Sequence, residues 1–294
     1  MINFVSLLAA FANGVPTASS PVSNFPTFIQ YSAASYCNQI WQTGSFNCGI
    51  RCSGALSSTQ IVSTINSSDS AAASYVGYND NLQTIVIAFR GTDNLEGALQ
   101  DLEFAQTDSD WQSRYPLNIA SPANAPIPEN LKVHAGFEEV YGSIRDDVLI
   151  ATNQLAQNKP NYQIVFTGHS LGGAIASFAA VDFQNVFGMQ DRISLYTYGQ
   201  PRVGNDAWAN YVDQVPFVDR IYRVARRGDP VVHLPLNAMG YYHFKQQWEL
   251  NDDGSTTACA VKANSGESPS CLNDLFSLNA ARHSDYYGWL SAKC

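Results

Sequence analysis

The chain has 294 residues, of which 45% are hydrophobic and 14% are charged, and its formal net charge at pH 7 is −9. This composition is typical of a globular protein with a sizeable core and argues against disorder. The acidic balance argues against a nucleic-acid-binding surface, and it predicts that any contact with lipid is apolar rather than electrostatic.

The first 20 residues combine an apolar run, Phe4 to Ala12, with small residues that end in Ala18-Ser19-Ser20. This order is typical of a secretion signal, and we predict one over residues 1–19, followed by the folded domain over residues 20–294. The segment lacks the positive charge that usually begins such a signal, so a short N-terminal core helix is the alternative. No later stretch is apolar over the length of a transmembrane helix.

The N-terminal half predicts a helix followed by a hairpin. Phe28, Tyr31 and Ala34 share one face of a helix. The stretches "AASYVGYND" and "QTIVIAFRGT" predict two strands joined at Asn79-Asp80-Asn81, and the second strand is apolar enough to be covered on both faces. A surface loop should follow over residues 105–130. The next segment, residues 132–159, predicts one long amphipathic helix that stops before Pro160.

Strands and helices alternate in the rest of the chain. The patterns predict strands at 162–167, 193–198, 219–224 and 241–249, with helices at 171–187 and 206–212 and a short final helix. Such alternation favours an α/β fold in one domain, with a sheet that is mainly parallel at its centre.

Six cysteines allow fifteen pairings. Their placement narrows these to Cys48–Cys52, Cys259–Cys271 and Cys37–Cys294, because two pairs are close in sequence and the third is what remains. An even number of cysteines after a secretion-like start favours disulfides. A zinc site is the alternative, but no spacing matches a zinc pattern. Asn66-Ser67-Ser68 is an acceptor sequence for N-glycosylation.

The segment "VFTGHSLGGA" (residues 165–174) places a serine between glycines where a strand becomes a helix. It contains the pattern Gly-x-Ser-x-Gly, in which a strained turn exposes a nucleophilic serine at the end of the sheet. We expect neighbouring backbone to pass so close to Gly168 and Gly172 that neither position has room for a side chain. The pattern therefore indicates Ser170 as a nucleophile, and an ordinary tight turn is the alternative.

A serine nucleophile needs a base and an acid that orients it, and in this architecture they follow in the order acid, then histidine. Asp229 lies where a predicted strand passes into Gly228-Asp229-Pro230, and His283 lies near the C-terminus. We predict Asp229 as the acid and His283 as the base. The alternatives lie in less suitable positions: His233, His243, Asp206, Asp213 and Asp219.

Six segments in this order resemble the fungal class 3 (triacylglycerol) lipase family, which includes feruloyl esterases. They are "AFRGT", "VHAGF", "GHSLGGA", "YGQPRVGN", "RVARRGDPVVHLP" and "RHSDYYG". The resemblance covers residue 28 to the C-terminus and implies an α/β-hydrolase fold with helices on both faces of the sheet. It implies the triad Ser170, Asp229 and His283, an oxyanion hole from the amides of Thr92 and Leu171, and no metal or cofactor. The cysteine pairing above also fits this family, and His134 is expected to be structural.

The stretch "DNLEGALQDLEF" (residues 93–104) carries an apolar stripe of helical period. The resemblance implies that this helix is a lid over the nucleophile, formed by Asn94, Leu95, Ala98, Leu99 and Leu102. A fixed surface helix is the alternative. Many relatives have a tryptophan where Ala98 stands, so we expect weaker activation at lipid interfaces and room for less bulky substrates such as partial glycerides.

The function expected from these observations is a secreted, monomeric serine hydrolase that cleaves glycerol esters at a lipid–water interface. A feruloyl or other soluble-ester esterase is the alternative within the fold, and the leucine stripe favours the lipase. A catalytically silent binding protein is a remote alternative, because every member of the triad is present.

Overall fold

The structure is a computed structural model that describes residues 21–68, 72–92, 106–108, 127–260, 267–268, 271 and 278–294. The predicted secretion signal, the predicted lid and most of the predicted loop at 105–130 lie outside these residues. Within them, no helix is both long enough and apolar enough to cross a membrane.

The described chain alternates strands and helices. The helices are α1 (Phe25–Ala34), α2 (Asn38–Thr43), α3 (Ala135–Gly142), α4 (Arg145–Asn158), α5 (Leu171–Phe187), α6 (Asp206–Val212) and α7 (Ala280–His283). The strands are β1 (Gln60–Asn66), β2 (Ala73–Asn79), β3 (Thr84–Phe89), β4 (Gln106–Asp108), β5 (Lys132–His134), β6 (Gln163–His169), β7 (Ile193–Tyr198), β8 (Ile221–Arg226), β9 (Gln247–Leu250) and β10 (Thr256–Ala258).

Eight strands form one sheet in the order β1-β2-β3-β6-β7-β8-β9-β10, and β4 pairs with β5 separately. The parallel strands of this sheet are β3, β6, β7, β8 and β9, whereas β1, β2 and β10 add antiparallel pairs at the edges. This confirms the predicted α/β fold with a sheet that is parallel at its centre. Parallel strands align their carboxyl ends along one edge, where ligand sites of such sheets lie.

Helices cover both faces of the sheet, so its central strands are buried throughout. In β3, Val86 and Ala88 face the cluster that contains α1, whereas Ile85 and Ile87 face the cluster that contains α3, α4 and α5. This alternation follows from the two-residue period of a strand. A strand buried on both faces is apolar along its length, which is the pattern that the sequence shows.

The predicted long helix at 132–159 is wrong: the segment forms β5 and two helices. Ile144 interrupts the helix with φ −123° and ψ −1°, directly after Gly142 and Ser143. Asp146 and Asp147 lie in the first turn of α4, where negative charge stabilises a helix N-terminus. The apolar periodicity runs through the break, which explains why the pattern predicted one helix.

Two strands also differ from the prediction. β1 was not predicted, because its polar and apolar residues alternate poorly and a bulge interrupts its pairing near Ile61. The predicted strand 241–249 is reduced to β9, because backbone N–H groups before it bond elsewhere. His243 N–H donates to Glu267, and Lys245 N–H donates to Asp213.

His134 is structural, as expected, since it caps α3. Its Nδ1 accepts a hydrogen bond from the Phe137 amide (3.4 Å), and its ring stacks on the Phe137 ring with the centroids 3.9 Å apart. The side chain must be neutral to accept this bond. Burial lowers the pKa of His134 to about 4.

Acid should therefore destabilise the protein partly through His134. An unfolded chain protonates histidine near pH 6.5, whereas folded His134 stays neutral down to about pH 4. The unfolded state binds more protons in this window, so the free energy of unfolding should fall as pH drops from about 6.5 to about 4. His134→Asn keeps a capping oxygen but has no group that titrates in this range. Denaturant titrations at several pH values should therefore show that its free energy of unfolding changes less with pH than that of the parent. An identical dependence on pH would contradict this prediction.

The six cysteines form three disulfides: Cys37–Cys294, Cys48–Cys52 and Cys259–Cys271. The first joins residues 257 positions apart and ties the segment after α1 to the C-terminal residue. Removing it should therefore increase the conformational entropy of the unfolded chain much more than removing Cys48–Cys52, which spans 4 positions.

We expect Cys37→Ser with Cys294→Ser to lower the free energy of unfolding by about 3–5 kcal/mol, as chain entropy predicts for a long loop. Cys48→Ser with Cys52→Ser is the matched control and should cost less. Urea titrations of both variants and the parent measure the difference. Equal losses would show that closure of the long loop is not the stabilising effect.

Candidate active site

Ser170 lies at the junction of β6 and α5, with the strained backbone angles φ 59° and ψ −132°. A non-glycine residue in this conformation costs about 1–3 kcal/mol and persists only where the surroundings enforce it. The two flanking glycines are part of that enforcement. A Cβ at Gly168 would lie 2.1 Å from the Gly172 oxygen, and a Cβ at Gly172 would lie 2.3 Å from the Phe89 oxygen.

Asp229 and His283 come from distant parts of the chain and are in direct contact. Asp229 follows the end of β8, and His283 is the last residue of α7, so it belongs to a short helix rather than to the predicted loop before one. The Nδ1–H group of His283 donates to both carboxylate oxygens of Asp229, at 2.9 and 3.0 Å. Both side chains are buried. This contact fixes the His283 tautomer, with the proton on Nδ1.

Two further donors hold the Asp229 carboxylate. The Tyr286 hydroxyl donates to Oδ2 at 2.7 Å, and the Val231 amide donates to Oδ1 at 2.8 Å. The Tyr286 oxygen in turn accepts the Arg226 amide at 2.9 Å. A buried carboxylate needs such donors, because an unpaired buried charge is very costly.

Gly199 connects the serine to the aspartate–histidine pair. The Ser170 amide donates to the carbonyl of Tyr198 at 2.9 Å, and the next residue is Gly199, with φ 58°. A Cβ at Gly199 would lie 2.9 Å from His283 Cε1 and 3.1 Å from Asp229 Oδ2. Any side chain here would displace His283, so the glycine is required by close packing as well as by its positive φ.

His169 supports His283 from the other side. Its Nε2–H donates to the His283 carbonyl at 2.8 Å, and the two rings pack with their centroids 4.4 Å apart. Since Nε2 carries the proton, Nδ1 accepts the Tyr36 hydroxyl at 3.0 Å. Burial, reinforced by the neighbouring His283, lowers the pKa of His169 well below its usual range, so its ring stays neutral.

The second nitrogen of His283 completes the arrangement. Its Nε2 is buried and has no hydrogen-bond partner within the described ranges. With the proton held on Nδ1, this nitrogen carries a lone pair. It can therefore act as a base toward a hydroxyl that comes within reach. Ser170 is joined to this segment through the backbone, because its neighbour His169 donates to the His283 carbonyl and its own amide donates to the carbonyl of Tyr198, the residue before Gly199.

The two predicted oxyanion residues lie near the serine: Leu171 follows it in the chain, and Thr92 follows Gly91, which is close to it in space. Leu171 is the first residue of α5, where backbone N–H groups point toward a ligand. Thr92 follows Gly91, and a Cβ at Gly91 would lie 3.3 Å from Ser170 Cβ. Thr92 also lines a cavity together with His283.

The alternative acids and bases lie in other surroundings. His243 Nε2–H donates to the Val232 carbonyl (2.8 Å), and burial lowers its pKa well below the usual range. Asp213 accepts the Lys245 amide at 2.8 Å. Asp206 begins α6, Asp219 precedes β8, and His233 ends a buried helical turn.

The residues predicted for the lid, 94–102, lie outside the described residues. In the part of the chain that the structure describes, no group of three or more His, Cys, Asp or Glu side chains could hold a metal ion.

Sequence reasoning missed the supporting residues: Tyr36, His169, Gly199 and Tyr286. Three of them, His169, Gly199 and Tyr286, lie inside segments that carry the family resemblance, so their place in those segments was a signal that could have found them. Tyr36 lies in no such segment, and only its contact with His169 reveals it.

Comparisons with known proteins identify the family of this chain. The family model described as "Lipase (class 3)" matches residues 86–239. A lipase of Rhizomucor miehei is 30% identical over 96% of this chain and 73% of its own length. The secreted mono- and diacylglycerol lipase 1 of Fusarium solani is 29% identical over 93% of this chain and 78% of its own.

Solved structures agree as well. A triacylglycerol lipase whose catalytic centre is a serine protease triad superposes with a TM-score of 0.78 and 29% identity, covering 92% of this chain and 96% of its own. A mutant of the lipase MDLA from Penicillium cyclopium gives a TM-score of 0.74 at 25% identity, covering 94% of this chain and 98% of its own.

Proposed function

The chain belongs to the class 3 lipase family, and from this premise we propose that it is a secreted acylglycerol lipase that acts through Ser170, Asp229 and His283. As a lipase it is a carboxylic ester hydrolase. The observation that carries the catalytic assignment is the buried contact of His283 Nδ1 with Asp229, which leaves Nε2 without a proton and able to act as a base. The strained Ser170 is the nucleophile that we assign to it.

The reaction begins when His283 Nε2 takes the proton of Ser170 as its Oγ attacks the ester carbonyl. Asp229 holds the ring in the correct tautomer and stabilises the imidazolium that forms. The negative oxygen that develops is bound by the amides of Thr92 and Leu171. Loss of one such donor typically costs about 10²–10³ in rate.

The tetrahedral intermediate then collapses to an acyl-enzyme. His283 returns the proton to the leaving alcohol, and the ester bond to that alcohol breaks. Water attacks the acyl-enzyme next and loses a proton to Nε2. The bond between the acyl carbon and Ser170 Oγ breaks, His283 returns this proton to Oγ, and the fatty acid leaves. The neutral His169 donates a hydrogen bond to the backbone carbonyl of His283, and this bond holds the residue in place through both steps.

Glycerol esters are the substrate class we assign, because the similar proteins include a triacylglycerol lipase and a mono- and diacylglycerol lipase. A lid at residues 94–102 would cover the site in water and present its leucines to lipid. Residues 1–19 would direct secretion and residues 20–294 would form the hydrolase domain. The enzyme would be a monomer at a lipid–water interface.

A panel of esters tests this proposal. An organophosphonate should label Ser170, and glycerol esters of short and long acids should be cleaved faster than methyl ferulate. The panel includes mono-, di- and triacylglycerols, measured below and above their solubility. Faster cleavage of methyl ferulate would favour the soluble-ester esterase, and an absence of labelling would indicate a silent binding protein.

A further inference from the structure

The turn between β9 and β10 projects from the carboxyl edge of the sheet beside the segment that carries His283. Leu250 in β9 pairs with Arg226 at the end of β8 and with Thr256 at the start of β10. These three residues form one row across the sheet, and residues 251–255 extend beyond it. The turn therefore lies on the side of the sheet where the predicted acid and base meet.

Two ion pairs join this edge to residues on either side of His283. Arg282, directly before the histidine, pairs with Asp252 in the turn. Asp285, two positions after it, pairs with Arg226, whose Nη2 lies 2.9 Å from Asp285 Oδ2. The backbone that carries the predicted base is therefore held on both sides by charged groups of β8 and of the turn.

Arg226 is the buried centre of this arrangement, since its side chain is only 9% exposed. Its Nη2 also lies 3.6 Å from Asp252 Oδ1, and its Nη1 donates to the Asn251 carbonyl at 3.2 Å. A guanidinium keeps its proton in proteins, and a buried charge that loses its partner is very costly. Arg226 therefore holds Asp285 more firmly than an ordinary surface ion pair would.

Tyr287 adds a third contact between this segment and the same edge. Its φ is 53°, a conformation that bulky residues rarely adopt and that persists only where the surroundings enforce it. Its hydroxyl shares a hydrogen bond of 2.6 Å with the hydroxyl of Thr256, which belongs to the row described above. Positions 282, 285 and 287 are thus all bound to one edge of the sheet.

We propose that Arg226, Asp252 and Asp285 are positioning residues that form a brace for the catalytic base. The brace fixes the backbone on both sides of His283, whereas Asp229 fixes the tautomer of its ring. The inference rests on the proposed function, since it assigns the brace to the base of the same triad.

The position of the histidine backbone matters because the proton moves over a short distance. A base must come within about 2.6–3.2 Å of the hydroxyl that it deprotonates. A misplacement of about 1 Å can cost about 10² in rate. The brace residues are not among those assigned to the ester or to the oxyanion, so loss of the brace should lower kcat and leave KM nearly unchanged.

Two substitutions of Asp285 separate an effect of charge from an effect of packing. Asparagine keeps the size of the side chain and removes its charge, whereas glutamate keeps the charge and adds one methylene. With p-nitrophenyl butyrate, Asp285→Asn should lower kcat about tenfold and Asp285→Glu about twofold, with KM within about twofold of the parent in both. A side chain that only fills space would give the opposite order, because asparagine is the closer fit.

Asp80→Asn is the matched control. Asp80 is 52% exposed and pairs with Lys159 at 2.8 Å, close to the 53% and 2.9 Å of Asp285 with Arg226. It lies in the turn between β2 and β3, which the register places at the end of the sheet opposite to Ser170. The variant should keep kcat within about twofold of the parent, even where urea titrations show a similar loss of stability.

An unchanged kcat in Asp285→Asn would overturn the proposal, as would a larger loss in Asp285→Glu than in Asp285→Asn, or a rise in KM that accounts for the whole effect. If Asp285→Asn does not fold, Asp252→Asn replaces it, because this acid is 60% exposed. Its kcat should fall about threefold, and an unchanged kcat there would also overturn the proposal. Failure of the proposed function would appear separately, as a parent enzyme that does not cleave p-nitrophenyl butyrate.

Discussion

Ser170→Ala is expected to lower kcat/KM for a soluble glycerol ester by about 10⁴–10⁶, the range found when a triad nucleophile is removed. Alanine keeps the backbone and the packing around the elbow but removes the only atom that forms the acyl-enzyme. The residual rate would come from the oxyanion donors and from binding. Initial rates with tributyroylglycerol below its solubility measure the effect without an interface.

The same helix supplies a matched control for this variant. Ser177 is buried in α5, and its hydroxyl donates to the Ala174 carbonyl at 2.7 Å. Ser177→Ala makes the same chemical change away from the carboxyl edge of the sheet and should retain activity within about twofold. A Ser170→Ala enzyme that keeps more than one per cent of the parent rate would contradict the assignment of the nucleophile.

Asp229→Asn is expected to lower kcat by about 10³–10⁴ at neutral pH. Tyr286 donates to Oδ2 and Val231 to Oδ1, so an asparagine can keep its oxygen toward only one of these donors. Its NH₂ group then takes the other position, which also faces His283 Nδ1 because Nδ1 contacts both positions. The ring would then accept at Nδ1 and carry its proton on Nε2, where it cannot act as a base. The expected loss reflects a wrong tautomer with little change in geometry.

Asp213→Asn is the corresponding control, because Asp213 is another buried acid that accepts a backbone amide. Its activity should stay within about threefold of the parent, even if its stability falls. Single-turnover release of p-nitrophenol from p-nitrophenyl butyrate reports the acylation step directly. A loss of less than tenfold in Asp229→Asn would show that another group orients His283.

The site also shows why the histidine can lie so far from the nucleophile in sequence. Its backbone carbonyl is fixed by His169, the neighbour of Ser170, and its ring lies over Gly199. Tyr286, three positions after His283, fixes the acid. The segment that carries the base is thus attached to β6, β7 and β8, the strands around the nucleophile.

The local parts of this protein could be predicted from the sequence alone. The alternation of strands and helices gave the parallel sheet, and the bounds of α5, β7 and α6 match those expected. The glycines around Ser170 indicated a strained turn, because only a residue without a side chain tolerates such close backbone. These features depend on neighbours in the chain, so periodicity and turn chemistry are sufficient to predict them.

Features that depend on distant residues were predicted poorly. β1 forms because its backbone pairs with β2. The strand predicted at 241–249 lacks its first part, 241–246, because the amides of His243 and Lys245 bond to the side chains of Glu267 and Asp213. The interruption at Ile144 reflects two helices that each pack on the sheet, while the apolar spacing continues through it.

The amino-acid pattern is sufficient to predict the class of fold, a strained serine and an acid and a histidine that follow it in order. The groups that hold these residues become visible only in the folded chain: Tyr286 on Asp229, His169 and Tyr36 behind His283, and Gly199 against the ring of His283. The reason is physical. A nucleophilic turn is specified by the backbone angles of a few adjacent residues, whereas a buried charge and its neutral partner are stabilised by hydrogen bonds that exist only once distant segments pack together.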